Sequence, residues 1–372
     1  MQDMNHESIR KAGPYSALSI EGMDKGLLNR LYYFMLRLRR VELALIAEYH
    51  PADEMRCPVH FCVGQEAVSA ALSVLLRPED YMYSHHRTHG FYLAKSAPLR
   101  GLFAEIYGKA TGANGGKAGS QDISCGDVNF YSGAILSGAM GLAVGTAYGL
   151  RYKDSKSVAV TGFGEGATDE GIYWEAINYA ALHRLPVLFM CENNRYATYS
   201  PQNHRQLKDN LTDKVASFGV KSCSIFGNDV VAVHQTIDKA LKSIREGEGP
   251  QFIQAYTYRW NSHVGPEDDG ANNYRLQGEL DFWKQNCPVV LLEEKLLAAG
   301  ILTSASKEQM TVQIDAEIKD AFDFAKSSPF PKNADWAALN YCQETPLADK
   351  LLEDAEHHAF DQNQAESVPG PY

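Results

Sequence analysis

The stretch Ser157-Val158-Ala159-Val160-Thr161-Gly162-Phe163-Gly164-Glu165-Gly166-Ala167-Thr168-Asp169-Glu170-Gly171 decides the fold. Ser157–Thr161 is short and β-branched, which predicts a strand. The glycines after it predict a turn, and Thr168–Leu182 has helical spacing. Outward from there, Pro186–Cys191 predicts a strand, residues 230–245 a helix and residues 252–258 a further strand. Towards the N-terminus, residues 27–50 read as an amphipathic helix, with a second over 65–76. Strand–helix–strand alternation argues for an α/β fold, a parallel sheet with helices on both faces. The expected layout is a helical extension over 1–60, a main domain over 61–330 and an acidic extension over 331–372. Residues 137–149 (SGAMGLAVGTAYG) form a helix candidate with Gly141, Gly145 and Gly149 on one face. Such a face suits close packing in the core or at a subunit interface, because each interior glycine costs roughly 1 kcal/mol relative to Ala.

Composition excludes several classes. Hydrophobic residues make up 45% and charged residues 22% of the 372, an ordinary globular balance. The net charge of -11 is concentrated in residues 343–372, which carry seven acids against Lys350 alone. No basic stripe suits nucleic acid. No run approaches the roughly 20 apolar residues of a membrane span, and the first residues show no secretory signal. Seven cysteines without a CxxC pair fit reduced thiols and a cytoplasmic protein.

Two chemistries compete for the glycine-rich turn. Gly162, Gly164 and Ala167 satisfy the dinucleotide pattern G-x-G-x-x-A, with Glu192 25 residues past Ala167 as the ribose-binding acid. Against it, Glu165 and Asn194 stand 29 residues apart, each just past a predicted strand. On neighbouring strands they would bring a carboxylate and an amide oxygen together, the hard-oxygen setting that Mg²⁺ takes with phosphate. The plain alternative makes Glu165 a helix cap and Asn194 a turn residue.

Gly164-Glu165-Gly166 followed by Asn193-Asn194 resembles the thiamine diphosphate signature. Further segments agree in order. They are His60–Ala67, His86-Arg87-Thr88-His89-Gly90, Tyr107-Gly108-Lys109, Gly116–Ser120, Ala134-Ile135-Leu136, Gly227–Val230, Gly247–Pro250, and Tyr258-Arg259 with His263. Over roughly residues 30–285 the chain resembles the alpha subunit of 2-oxo-acid dehydrogenases of the pyruvate, branched-chain and acetoin types. The resemblance implies the thiamine-diphosphate-binding fold and a thiamine diphosphate–Mg²⁺ cofactor. Glu165, the Asn194 side chain and the Tyr196 carbonyl would bind the metal, and Gly166 and Ala167 would approach the diphosphate. Arg87 would pair with the diphosphate beside His86. Ala134, Ile135 and Leu136 would lie against the coenzyme, with Gly126 near. His60 and His263 would face the reacting centre, with His89 a further candidate there.

The implied substrate is a 2-oxo acid or acyloin, with a lipoyl carrier protein as one acceptor. The family's pattern places the carboxylate that serves the coenzyme's aminopyrimidine on a companion beta subunit, so an α2β2 assembly is expected. Glu165 replaces the family's usual Asp, Asp122 stands where a His is common, and Val264–Asp269 replaces a Ser-rich loop. The rival readings are transketolase-like ketol transfer, a dinucleotide-binding oxidoreductase, and a binding subunit without turnover.

Overall fold

The computed structural model describes residues 17–268, 274–276, 278–332, 350 and 353. The expected acidic extension lies almost wholly outside them. The chain divides into two compact units, Met1–Phe330 and Pro331–Tyr372. The first contains helix α1 (Lys25–Ala52), α2 (Glu66–Leu75), strand β1 (Tyr81–Ser84), α3 (His89–Ala94), α4 (Leu99–Ile106), β2 (Phe130–Ser132) and α5 (Gly138–Tyr152). Then come β3 (Ala159–Gly164), α6 (Gly171–Leu182), β4 (Val187–Asn193), β5 (Tyr196–Ala197), β6 (Ser200–Pro201), α7 (Gln202–Arg205) and α8 (Leu211–Ala216). The unit closes with β7 (Lys221–Phe226), α9 (Val230–Arg245), β8 (Gln251–Tyr256), α10 (Glu279–Gln285), α11 (Pro288–Ala298) and α12 (Ser304–Ser327).

Six strands form one parallel sheet in the order β2-β1-β3-β4-β8-β7. Strand β4 (VLFMCEN) is buried throughout, and its period-2 alternation feeds two cores. Leu188 and Met190 join the core built with α1, α2, α9 and α12. Val187, Phe189 and Cys191 join the one built with α5, α6 and α8. Helix α1, expected as an extension, buries Leu28, Leu31, Met35 and Leu38 in the first of these cores. Asp24 caps α1 by accepting from Leu27 N, and Asp229 caps α9 by accepting from Val231 N and Ala232 N.

Two boundaries near the decisive stretch differ from expectation. Strand β3 runs on through Gly162 to Gly164, because Gly162 is an in-sheet contact: a Cβ there would lie 2.7 Å from the Phe91 ring. The helix starts at Gly171, after a 3₁₀ turn (Glu165–Asp169) and an extended Glu170. The turn does not open directly into a helix, and its first glycine faces a side chain inside the sheet. The dinucleotide pattern at Gly162, Gly164 and Ala167 therefore lacks its structural context.

From β1 the chain moves outward to β2, and from β3 it moves the other way to β4. Such a reversal opens a crevice at the carboxyl ends of the strands.

Candidate active site

That crevice is a pocket of about 210 Å³. Its lining comes from the ends of β1 (His85, His86, Arg87), β3 (Gly164 to Ala167) and β4 (Asn194), together with His60, Gln121, Ala134, Leu136, Tyr196, Ala197, Thr198 and His263. Strands β3 and β4 pair in parallel with Gly164 opposite Glu192, so Glu165 and Asn194 leave adjacent strands at the same edge.

Glu165 is 1% exposed, and burial raises its carboxyl above the ordinary range against the pull of Arg205. Arg205 binds one Glu165 oxygen and reaches Asp169 with its other nitrogen. Asn194 Oδ1 accepts from Tyr196 N at 3.0 Å, a turn held by left-handed residues on both sides, Arg195 (φ 72°) and Thr198 (φ 54°). Gly166 packs against this turn, where a Cβ would lie 2.8 Å from that of Ala197. A buried carboxylate, an amide oxygen and an adjacent backbone carbonyl make a donor set that suits Mg²⁺.

Arg87 is fully buried. Its guanidinium donates to the carbonyls of Phe61 and His263, joining the two segments that bear His60 and His263. Burial, then Arg259, pull its pKa down to about 9, which leaves a cation at neutral pH with N–H groups to spare for an anion. The rings of His60, His86 and His263 lie 4.5–5.2 Å apart, and their nitrogens converge within 4.8 Å. Burial first, and neighbouring cations second, drive His60 down to about 2 and His85 to about 3, with His86 also well below its ordinary value. His60 Nδ1 and His85 Nε2 are buried without a hydrogen-bond partner among the described residues. Neutral imidazoles and a buried cation with unfilled donors and acceptors suit a polar, anionic group.

The segment carrying His60 is pinned from below. Glu42 accepts from Cys62 N at 2.7 Å, Glu66 accepts from Gly64 N at 3.0 Å, and Arg39 holds Glu66. His89 belongs to this scaffold, not to the pocket: its Nδ1 meets Glu42 at 2.6 Å and its Nε2 meets Ser120 Oγ at 2.8 Å, with all three residues fully buried. It is the first residue of α3, two residues past Arg87, and does not line the cavity. Ile135 is 74% exposed and Gly126 opens a separate 3₁₀ turn, so neither lines the pocket. Asp122 accepts from Ala134 N at 2.7 Å and thereby fixes a lining residue.

Gln121, Ala197 and Thr198 line the pocket without having been singled out in the sequence, and His85 lines it beside His86. Ala197 and Thr198 could have been, since each lies one to four residues from a recognised position.

The chain matches the family model described as dehydrogenase E1 component over residues 33–334. It is 34% identical over 285 residues to the alpha subunit of acetoin:2,6-dichlorophenolindophenol oxidoreductase from Bacillus subtilis, covering 74% of this chain and 82% of the relative. It is 32% identical over 317 residues to the pyruvate dehydrogenase E1 component subunit alpha of Porphyra purpurea, covering 83% and 91%. The acetoin-type alpha subunit of Cupriavidus necator is 30% identical over 313 residues, covering 83% and 92%. These matches favour the dehydrogenase reading over ketol transfer and over dinucleotide binding. The chain belongs to the dehydrogenase E1 component family, as an alpha-type chain of its thiamine-diphosphate-dependent oxidoreductases.

Proposed function

We propose that this chain holds thiamine diphosphate through Mg²⁺ and acts on a 2-oxo acid or an acyloin, in an assembly with a beta-type subunit. The single observation behind this reading is the convergence of Glu165, Asn194 and Tyr196 with Arg87 and three histidines at one sheet edge. Glu165, Asn194 Oδ1 and the Tyr196 carbonyl bind the cation, while Gly166 and Ala167 lie against the diphosphate. Arg87 balances its charge, with the neutral His86 beside it as a hydrogen-bonding contact, and Ala134 and Leu136 pack on the coenzyme. When bound, the coenzyme supplies the electron sink for cleavage next to a carbonyl. His60, neutral and without a partner at Nδ1 among the described residues, can accept a hydrogen bond there from a substrate hydroxyl, and His263 faces it across 5.0 Å. A lipoyl carrier protein is one acceptor for the cleaved unit. The six described cysteines are free thiols, which suits the cytoplasm. Among the described residues, no helix is long and apolar enough to cross a membrane.

Calorimetric titration with thiamine diphosphate and Mg²⁺ tests the reading, with NAD as control. Saturable, Mg²⁺-dependent heat with the coenzyme and none with NAD is expected. Heat with NAD alone would overturn it.

A further inference from the structure

The turn that offers the Tyr196 carbonyl is anchored from outside the pocket. The Tyr196 hydroxyl donates to Glu279 Oε2 at 2.6 Å, and the Tyr258 hydroxyl donates to the same oxygen at 3.1 Å. All three residues are buried: Tyr196 is 6%, Tyr258 1% and Glu279 3% exposed. Glu279 is the first residue of α10 and does not line the pocket. It reaches the site through the Tyr196 ring, which also packs edge-on against Tyr258 and Tyr274 at 6.2 and 5.4 Å.

The backbone on either side of Tyr196 explains why such an anchor is needed. Arg195 and Thr198 both hold left-handed φ values, a conformation that persists only where the surroundings over-determine it. The main chain of the turn is held by Asn194 Oδ1 on Tyr196 N, by Gln202 N on the Arg195 carbonyl at 2.8 Å, by the pairing of β5 with β6, and by Arg259 donating to the Thr198 carbonyl at 2.9 Å. The hydroxyl tie fixes the far end of a side chain with only two torsions, and so limits rotation of the peptide that carries the Tyr196 carbonyl. A buried carboxylate is tolerated only when hydrogen-bonded, and two tyrosine hydroxyls contribute to that here.

We propose that Glu279 is a positioning residue, which through the Tyr196 hydroxyl directs the Tyr196 carbonyl at the cation. This rests on the reading of that carbonyl as a metal ligand. Groups that orient metal ligands in this way typically change affinity by about 10–100-fold when removed.

The test is Mn²⁺ uptake, read by the electron paramagnetic resonance of the free ion, on the full chain in the assembly in which it purifies, with thiamine diphosphate present. Tyr196→Phe keeps the ring and the carbonyl and deletes only the tie. Glu279→Met keeps the volume and deletes the acceptor. Each should weaken Mn²⁺ binding about tenfold, and the double variant should be no weaker than either alone. Tyr258→Phe, which leaves the tie in place, should stay within about twofold of the unmodified chain. The proposal is overturned by unchanged affinity in Tyr196→Phe, whatever Glu279→Met does, or by additive losses in the double variant. Absence of Mn²⁺ uptake by the unmodified assembly would instead bring down the metal reading itself, and this proposal with it.

Discussion

At Glu165 one carboxylate oxygen is engaged by Arg205 and the other is left for the pocket. It is also the only anionic member of the proposed ligand set. Glu165→Ala should therefore abolish the rise in melting temperature that thiamine diphosphate with Mg²⁺ produces, since that rise reflects binding to the native state. Glu165→Asp should keep it. An undiminished shift in the alanine variant would remove Glu165 from the site. A second consequence concerns the histidines. His85 Nδ1 accepts from Arg87 N at 3.2 Å, a role open only to the neutral ring. With His85 held at about 3 and His60 at about 2, the native state binds fewer protons than the unfolded chain below pH 6.5. Their contribution to stability is whole above that pH and is lost as pH falls, by about 1.4 kcal/mol per pH unit for each ring. His85→Asn keeps an acceptor in the Nδ1 position and cannot titrate. Between pH 7.5 and 5.5 it should lose about 1 kcal/mol less than the unmodified chain in denaturant unfolding. Equal losses would show that His85 is not held neutral. The spacing of Glu165 and Asn194 was readable because chemistry near strand ends is local in sequence. Glu42, Glu105 and Arg205 were not, because each acts on the site from a distant element.

Helix α4 ends in a device of that kind. The Glu105 carboxylate accepts four backbone N–H groups from the loop that follows: Asn114 at 2.8 Å, Gly116 at 2.9 Å, Ala118 at 2.7 Å and Gly119 at 3.2 Å. The loop must fold back tightly to do this. Gly116 adopts φ 75°, and a Cβ there would meet the Gly108 backbone at 2.5 Å. The loop runs on to Ser120, which holds His89, and to Gln121, which lines the pocket. Glu105→Gln turns one acceptor into a donor facing N–H groups, and should destabilise the protein by about 2–4 kcal/mol, the cost of losing charge-assisted bonds and stranding buried donors. Amides 114–119 should lose hydrogen-exchange protection with it. A change under about 0.5 kcal/mol, with protection intact, would mean that the loop is held by other contacts. In the sequence Glu105 is one more acid on a helix, and nothing local marks it. Periodicity fared better with the elements themselves: α9 begins and ends where its apolar spacing predicts, at Val230 and Arg245. Strand β3 ran past its expected end because Gly162, which reads as a turn glycine, serves a close contact with Phe91.

On the scale of the molecule, the face of α5 that carries Gly141, Gly145 and Gly149 is left open by the described residues. A Cβ at Gly145 or Gly149 would meet nothing within 4 Å among the described residues, and one at Gly141 would reach only Ile172, at 3.9 Å. Core packing, one of the two expectations for this stripe, does not explain it. Beside the glycines stand exposed Leu142, Tyr148 and Tyr152, with Ile172, Tyr179 and Leu182 on the neighbouring α6. Apolar side chains gathered on two adjacent helices mark an interaction surface more often than a bare monomer surface. The described pocket also lacks a carboxylate placed as the family's companion chain would place one, its only acid being Glu165. Both observations lead to the same expectation: the purified chain alone is inactive towards 2-oxo acids and acetoin, and activity appears with a beta-type subunit. Gly145→Leu separates assembly from folding. Open space around Gly145 means that leucine should not harm the isolated chain, and better helix propensity should stabilise it by roughly 1 kcal/mol. At a tight two-fold interface the same side chain would force the helices apart. Light scattering should then show loss of the expected assembly with the beta-type subunit, with activity falling in parallel while the melting temperature of the lone chain holds or rises. If Gly145→Leu assembles and turns over like the unmodified protein, the glycine face is not the interface. Full turnover by the chain on its own would place every catalytic group within these 372 residues and end the two-subunit reading.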